Sequence, residues 1–286
     1  MTAHGLSFDV EDWHQLAAIR VDGAPGPVSP GVDGCVARIL DLCDEAGLKA
    51  TFFVLGLLAR ERPHLVRQIA ARGHEIASHS VRHRLVHALS PGELRDDLRE
   101  SKRMLEDLTG AEVVGFRAPE FSVQRLDHPC FAALAEAGYR YDSSVFPVAG
   151  LRYGIPGAPR VPFRIATAAG PLVELPLATA QLARWRLPIA GGSHFRVLPT
   201  PLVTWAADRA DARGEPLVFY FHPYELATEL LRLPGGLARN RPIARHVVLH
   251  NLARGRVRRS LRALARRLDF VPLRALAERA AAEETS

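Results

Sequence analysis

Three carboxylates, Asp9, Glu11 and Asp12, crowd into four positions of "SFDVEDWH", directly after a short apolar run. A carboxylate at the end of a buried strand can serve as a general base or as a metal ligand. Further on, "SHSVRH" carries His79 and His83 four residues apart. If the intervening residues turn helically, that spacing puts two imidazoles on one face, within reach of a single ion. Two histidines and one carboxylate leave positions open for water and substrate, as a catalytic metal requires. His87 lies another four along, and a pair of solvated histidines beside Arg82 and Arg84 is the plainer alternative. In "GFRAPEF", Arg117 ends an apolar run, where it can pair with a structural acid or orient a catalytic one through a bidentate contact. In "VFYFHPYE", His222 ends another apolar run, and an ordinary pKa of about 6.5 suits general acid work.

Such residues need a scaffold that gathers them. Short β-rich runs ("GLSFDV", "KATFFVLG", "HEIAS", "EVVGFRA") alternate with helical patterns ("GVDGCVARILDLCDEAGL", "LLARERPHLVRQIAARG", "SPGELRDDLRESKRMLEDLTG") through about residue 146. That alternation predicts βα units around a parallel sheet, and a barrel is favoured over an open sheet. Ser90 is placed to cap the third of these helices and Gly110 to end it. In parallel βα folds functional groups collect at the C-terminal strand ends. The acids, the histidine pair, Arg117 and His222 all follow strand-like runs. Residues 147–198, rich in Pro and Gly, read as an insertion over one end of the sheet. The tail predicts a basic helix near 251–267, a strand in "LDFVPL" and a final helix in "LRALAERAAAE".

At 286 residues the chain can bury a full core, and one domain spanning 1–286 is expected, with its core at about 5–225 and a basic extension at about 226–286. Cys35, Cys43 and Cys130 have neither CxxC nor paired Cys/His spacing, so they are expected to be buried apolar fillers. There is no leader-like start and no apolar run long enough to span a bilayer, so a cytoplasmic setting is expected. The charge of +6 concentrates in arginines between 232 and 267. Such a run is most often a solvated helix face; the alternatives are an anionic polymer or peripheral contact with an anionic membrane, and no nucleic-acid partner is expected.

Taken in order, these motifs resemble those of the polysaccharide deacetylases with the NodB homology domain, a carbohydrate esterase group. "SFDVED" is similar to the first motif, "HSVRH" to the His-Ser-x-x-His motif, "RAPEF" to the Arg-x-Pro motif and "FYFHP" to the last, histidine-bearing motif. The variant "DVEDWH", with "YDSSVFP" and "GGSHFRVLP", resembles a branch found with exopolysaccharide and exosortase systems. The resemblance implies an α/β fold, a distorted barrel of about seven βα units. It also implies one divalent metal ion, usually Zn2+, with Co2+, Ni2+ or Mn2+ as alternatives, held by His79, His83 and a carboxylate. Asp9 would be the base, Arg117 its orienting partner and His222 the acid, with Asp142 suggested as the acid near His222. The metal carboxylate stays open between Glu11, on the side of Asp9 if the strand continues, and Asp12, if it has ended at Val10. The Glu120 backbone N–H would face the oxyanion, and Trp13, Phe121, Tyr224 and Trp185 would offer apolar faces to sugar rings, with core packing the alternative for each. His194 stands where relatives tend to have an aromatic residue. The implied activity is N-deacetylation of a bacterial polysaccharide or its lipid-linked precursor. The rivals are a hydrolase of small non-sugar amides on the same fold and a non-catalytic carbohydrate-binding or assembly protein.

Overall fold

The computed structural model describes residues 2–23, 25–150, 153–183, 185–227, 230–231, 244, 247–248, 251–252 and 254–283. In chain order the elements are β1 (Ala3–Val10), α1 (Trp13–Asp22), α2 (Val32–Glu45), β2 (Thr51–Val54), α3 (Gly56–Glu61), α4 (Pro63–Ala71), β3 (Glu75–Ser78), α5 (Pro91–Thr109), β4 (Gly115–Phe116), α6 (Cys130–Glu136) and β5 (Tyr141–Asp142). There follow β6 (Phe163–Ile165), β7 (Leu172–Glu174), β8 (Thr179–Leu182), β9 (Trp185–Pro188), α7 (Gly192–Val197), α8 (Thr200–Asp211), β10 (Val218–Phe221), α9 (Arg254–Ala265), β11 (Asp269–Val271) and α10 (Leu273–Glu283).

The main sheet runs in the order β10-β1-β2-β3-β4-β5-β7-β6, with β11 also pairing β1. Its ladders are parallel except that of β6 with β7. Strands covered on both faces read as continuous apolar runs rather than alternating ones. All eight residues of β1 are buried, as are all four of β2 and of β10. The rings of Phe8, Phe52, Phe53, Phe219 and Phe221 are fully buried among them.

The sheet curls but no regular ladder joins β7 to β10. The chain leaving β7 bridges the gap with single bonds: Leu175 N–H to Asp142 O (2.9 Å), Leu177 N–H to Val145 O (3.0 Å) and Ala178 N–H to Val218 O (3.0 Å). Tyr220 N–H then donates to Ala190 O at 2.9 Å. The expected distorted barrel is thus a curled sheet whose seam is closed by irregular backbone. The Pro/Gly-rich segment does more than cover an end, since it supplies β6 and β7, this seam and the β8–β9 hairpin.

Local signals act as expected. Ser90 caps α5 in a reciprocal arrangement with Glu93, and Gly110 ends it in the left-handed conformation. The three cysteines are free and buried. In α9, Val257, Leu261 and Leu264 are buried while Arg258, Arg259 and Arg262 face solvent, so its apolar face is spent on the protein itself. Much of the remaining arginine-rich stretch, 232–243 included, lies outside the described residues. Among the described residues no helix is long and apolar enough to cross a membrane.

One backbone contact at the seam is closer than any side chain allows. Gly191 has φ 150°, and a Cβ built there would meet Tyr220 O at 1.7 Å. Gly214 has φ 67° but open space around it. We expect Gly191→Ala to destabilise by about 3 kcal/mol or more, against about 1 kcal/mol for Gly214→Ala, as measured by urea unfolding.

Candidate functional site

The acids after β1, the histidines after β3, Arg117 after β4 and His222 after β10 follow strands that run parallel, so they emerge at one end of the sheet. Register makes this specific: Phe8 lies opposite Phe221 and Phe52, which brings the ends of β10, β1 and β2 level.

Glu11, His79 and His83 form a buried cluster whose candidate ligand atoms all lie within 4.8 Å of one another. Glu11 Oε2 is 3.3 Å from His79 Nε2 and 2.9 Å from His83 Nε2. The imidazoles do not meet through a helical turn, as the spacing suggests. Residues 79–83 form an irregular loop in which Ser80 and His83 have φ 63° and 55°. Asp97 accepts from Val81 N–H, Ser80 Oγ accepts from His83 N–H, and Gly56 N–H donates to Ser80 O at 2.9 Å. Gly56 is needed there, because a Cβ would sit 2.9 Å from Val81 Cα. His79 Nδ1 lies 2.9 Å from Arg117 O, which turns Nε2 toward Glu11. His87 is elsewhere, with Nδ1 3.0 Å from Ser122 O.

Asp12, the other acid considered for the cluster, is not part of it. The strand ends at Val10 and Asp12 becomes the N-cap of α1. Its Oδ2 accepts from the N–H groups of His14, Gln15 and Ser29, and its Oδ1 from Ser29 Oγ at 2.5 Å. Capping claims carboxylate oxygens at a helix start, and Asp12 is left tying α1 to the loop before α2.

Asp9 Oδ1 accepts from Arg117 Nη1 at 2.6 Å, and both groups are buried. Each of the three nitrogens of Arg117 is engaged: Nη1 also donates to Ser7 Oγ (2.8 Å), Nη2 to Ser143 Oγ (2.9 Å) and Nε to Ser143 O (3.0 Å). The Phe53 ring lies 4.1 Å from its guanidinium carbon.

His222 Nε2 is 3.3 Å from Glu11 Oε1, and its Nδ1 is 3.4 Å from Glu225 Oε2. Burial would lower its pKa, but hydrogen bonding and charge from Glu225, then charge from Glu11 and Asp9, push it up to about 9. Burial would likewise raise the Glu11 carboxyl, yet the imidazoles of His83, His79 and His222 hold it well below the usual carboxylate range. The acid expected beside His222 was Asp142; the structure puts Glu225 there instead. Asp142 is fully buried, with Oδ1 accepting from Ser144 Oγ at 2.7 Å, and its register partner across the ladder is Glu174. Burial, then the Asp142 charge, pushes the Glu174 carboxyl well up, since two carboxylates this close disfavour a second charge. Glu225 was missed although it stands three residues after His222 in "HPYE", a spacing that a single helical turn brings together.

A cavity of about 310 Å³ opens beside His222, lined by Phe121, Tyr153, His194, Arg196, Tyr220 and Tyr224 among others. Arg196 is buried against Glu225 at 3.3 Å, and Arg20 bonds Glu120 at the rim. Glu120 itself adopts φ 52°, ψ 23°, in the turn after Arg117. Burial lowers the pKa of His194, so it lines this cavity as a neutral ring. Tyr224 stacks on His222 at 4.8 Å and donates to Glu11 Oε1 at 3.5 Å. Trp13 is 2% exposed and packs with Ala17, Val247 and Tyr224, while Trp185 stands 63% exposed on the β8–β9 hairpin.

Comparison with known proteins adds the following. Residues 15–141 match the family model described as polysaccharide deacetylase, and residues 143–278 match a domain of unknown function, DUF3473. A peptidoglycan-N-acetylglucosamine deacetylase of Bacillus cereus is 28% identical over 135 residues, 47% of this chain and 59% of that one. A chitooligosaccharide deacetylase of Sinorhizobium fredii is 31% identical over 111 residues, 39% of this chain and 45% of that one. The chain therefore spans only about half the length of these curated relatives. In fold it resembles a crystal structure from Mycobacterium smegmatis assigned to the polysaccharide deacetylases, at a TM-score of 0.63 and 20% identity over 99% of this chain and 92% of that one.

The Arg117–Asp9 pair generates a stability prediction. Arg117→Ala leaves the Asp9 carboxylate buried without its cation, which costs about 3–5 kcal/mol. We expect that loss as a lowered urea midpoint with an unchanged slope. An Asp9→Asn/Arg117→Met double variant is expected to recover part of it, because no ion is then left unpaired.

Proposed function

The chain carries a polysaccharide deacetylase domain over residues 15–141, and on that premise we propose that it is a metal-dependent hydrolase removing N-acetyl groups from a bacterial polysaccharide or its lipid-linked precursor. The observation that carries this reading is the Glu11–His79–His83 cluster lying beside Asp9, paired with Arg117, and His222, paired with Glu225.

The donor set fits a divalent ion, with Zn2+ the first choice for two imidazoles and one carboxylate. Glu11 Oε2 faces two ring nitrogens at 3.3 and 2.9 Å yet is a buried oxygen without a well-formed hydrogen bond. A cation between the three groups would satisfy all of them. When bound, the ion would supply a Lewis acid for the acetamide carbonyl and lower the pKa of a water to about 7.

The remaining steps belong to the chain. Asp9, held by Arg117, keeps one carboxylate oxygen away from the guanidinium and takes the proton of the attacking water. Arg117 fixes the direction of that oxygen, and with four acceptors filled it cannot swing toward the substrate. His222 carries a proton across neutral pH and gives it to the departing amine. The backbone N–H of Glu120, in the turn after Arg117, would serve the developing oxyanion. Phe121, Tyr220 and Tyr224 exclude water and offer faces to a pyranose ring.

The test is to strip and restore divalent metal while measuring acetate release from N-acetylglucosamine oligomers and from a lipid-linked acetamido sugar. Activity is expected to vanish on chelation and return with Zn2+; no acetate from any acetylated sugar with metal bound would overturn the reading. We also expect Asp9→Asn to retain metal while turnover falls about 10²–10⁴-fold. His79→Ala should lose both, and equal metal loss in the two variants would contradict the division of roles.

A further inference from the structure

A cavity of about 730 Å³ lies on the other side of the Trp13–Tyr224 wall from the cavity beside His222, and Glu11 lines it. Its surface is mainly apolar, with Trp13, Val32, Cys35 and Leu231 contributing, and it contains one arginine, Arg38, on α2. Among the described cationic side chains that are not fully exposed, Arg38 stands apart. Each of the other arginines and lysines that is not fully exposed has a polar partner. Arg62 has Asp33, Arg72 has Asp41 and Asp44, Arg160 has Glu215, Arg274 has Glu112, and Lys102 has Glu106. Arg164, Arg186 and Arg256 donate to backbone carbonyls. Arg38 is half-buried and makes neither a hydrogen bond nor an ion pair. The acids that share its cavity are committed elsewhere, Asp12 to the α1 cap and Glu11 to the histidines. His14, also lining the cavity, has no partner for its ring.

A half-buried guanidinium beside apolar surface loses hydration, and that cost is recovered when an anion meets it, most fully in a bidentate contact with phosphate or carboxylate. We propose that this cavity binds an anionic group carried by the substrate unit next to the acetamido sugar, with Arg38 as the residue that selects for it. The inference rests on the deacetylase reading for its placement, since Glu11 lines the cavity and belongs to the cluster that would hold the acetamide. The anion is a phosphate, as on a glycosyl phosphate, or a sugar carboxylate, as on a uronic acid; the guanidinium fork serves both. Arg38 touches no reacting group, so it is a specificity residue.

The experiment compares wild type with Arg38→Ala and Arg38→Lys on three substrates: a neutral N-acetylglucosamine tetramer, N-acetylglucosamine 1-phosphate, and an oligosaccharide alternating N-acetylglucosamine with a uronic acid. Arg38→Ala is expected to raise KM about tenfold on the anionic substrates, the size of one lost charge-assisted hydrogen bond, with kcat and the neutral tetramer unchanged. Arg38→Lys should fall between. A KM effect confined to the phosphate or to the carboxylate identifies the source of the anion. An equal change on neutral and anionic substrates, or none, overturns the proposal. Binding separates its failure from that of the deacetylase reading. If wild type releases no acetate, titration with N-acetylglucosamine 1-phosphate, followed by calorimetry, still decides it: weaker binding to Arg38→Ala supports the site, and equal binding to both removes it.

Discussion

A guanidinium with no exposed surface, Arg117, lies 2.6 Å from a carboxylate that is itself buried, Asp9, and the rest of the site is arranged to make that pair tolerable. Two desolvated ions are stabilising only when their remaining hydrogen-bonding capacity is also met. The groups that meet it come from three strands: Ser7 from β1, Arg117 itself just past β4, and Ser143 just past β5. Ser143 Oγ passes the constraint on to Leu175 O, in the stretch that closes the seam of the sheet. Behind it burial and the Asp142 charge push the Glu174 carboxyl well up, which disfavours a second negative charge beside Asp142. The position of the proposed base is therefore fixed by the curl of the sheet as a whole, because loosening any of these strands strands a charge.

The same economy separates the two carboxylates that lie two residues apart. Asp9 faces the Arg117 guanidinium, which holds one of its oxygens in a fixed direction. Glu11 faces the imidazoles of His79 and His83, the ring nitrogens a metal would share with it, and His222 on its other oxygen. Residues of one chemical type thus acquire a base-like and a ligand-like setting from their neighbours alone. His222 joins the two settings, because Nε2 approaches Glu11 while Nδ1 and the backbone N–H are held by Glu225. Arg196, delivered by α7, holds the far side of Glu225.

The framework was legible in the sequence because parallel strands buried on both faces leave an unmistakable apolar run, and each chemically interesting residue follows one. Helix boundaries at Ser90 and Gly110 were legible for equally local reasons. What pattern could not reach depended on where a chain bends. Whether Glu11 or Asp12 joins the histidines turned on the start of α1, since an aspartate at an N-cap is consumed by backbone amides. His79 and His83 do meet, but not through the helical turn their spacing suggests, because the loop uses left-handed residues at Ser80 and His83. The partner of His222 was sought in Asp142, at a neighbouring strand end, whereas the short turn after β10 supplied Glu225 within three residues. The seam at 175–191 has no periodic signature at all, being irregular backbone satisfied one bond at a time.

The boundary between the two matched families, at residues 141 and 143, falls within a structure that cannot be divided there. β1, with the proposed base and Glu11 at its end, pairs in parallel with β10, and Gly5 faces Val218 in that ladder. The first family's match begins after Asp9 and Glu11 and ends before His222, while Ser143, Glu174 and Glu225 lie in the second. Neither half holds a complete set of charges: the first contains Arg117 without Ser143, which accepts from it, and the second contains His222 with Glu225 but without Glu11. The second half is therefore better understood as the part that closes the sheet and finishes the site than as an appended module, and its arginine and acid, Arg196 and Glu225, belong to the same electrostatic unit as the histidine pair.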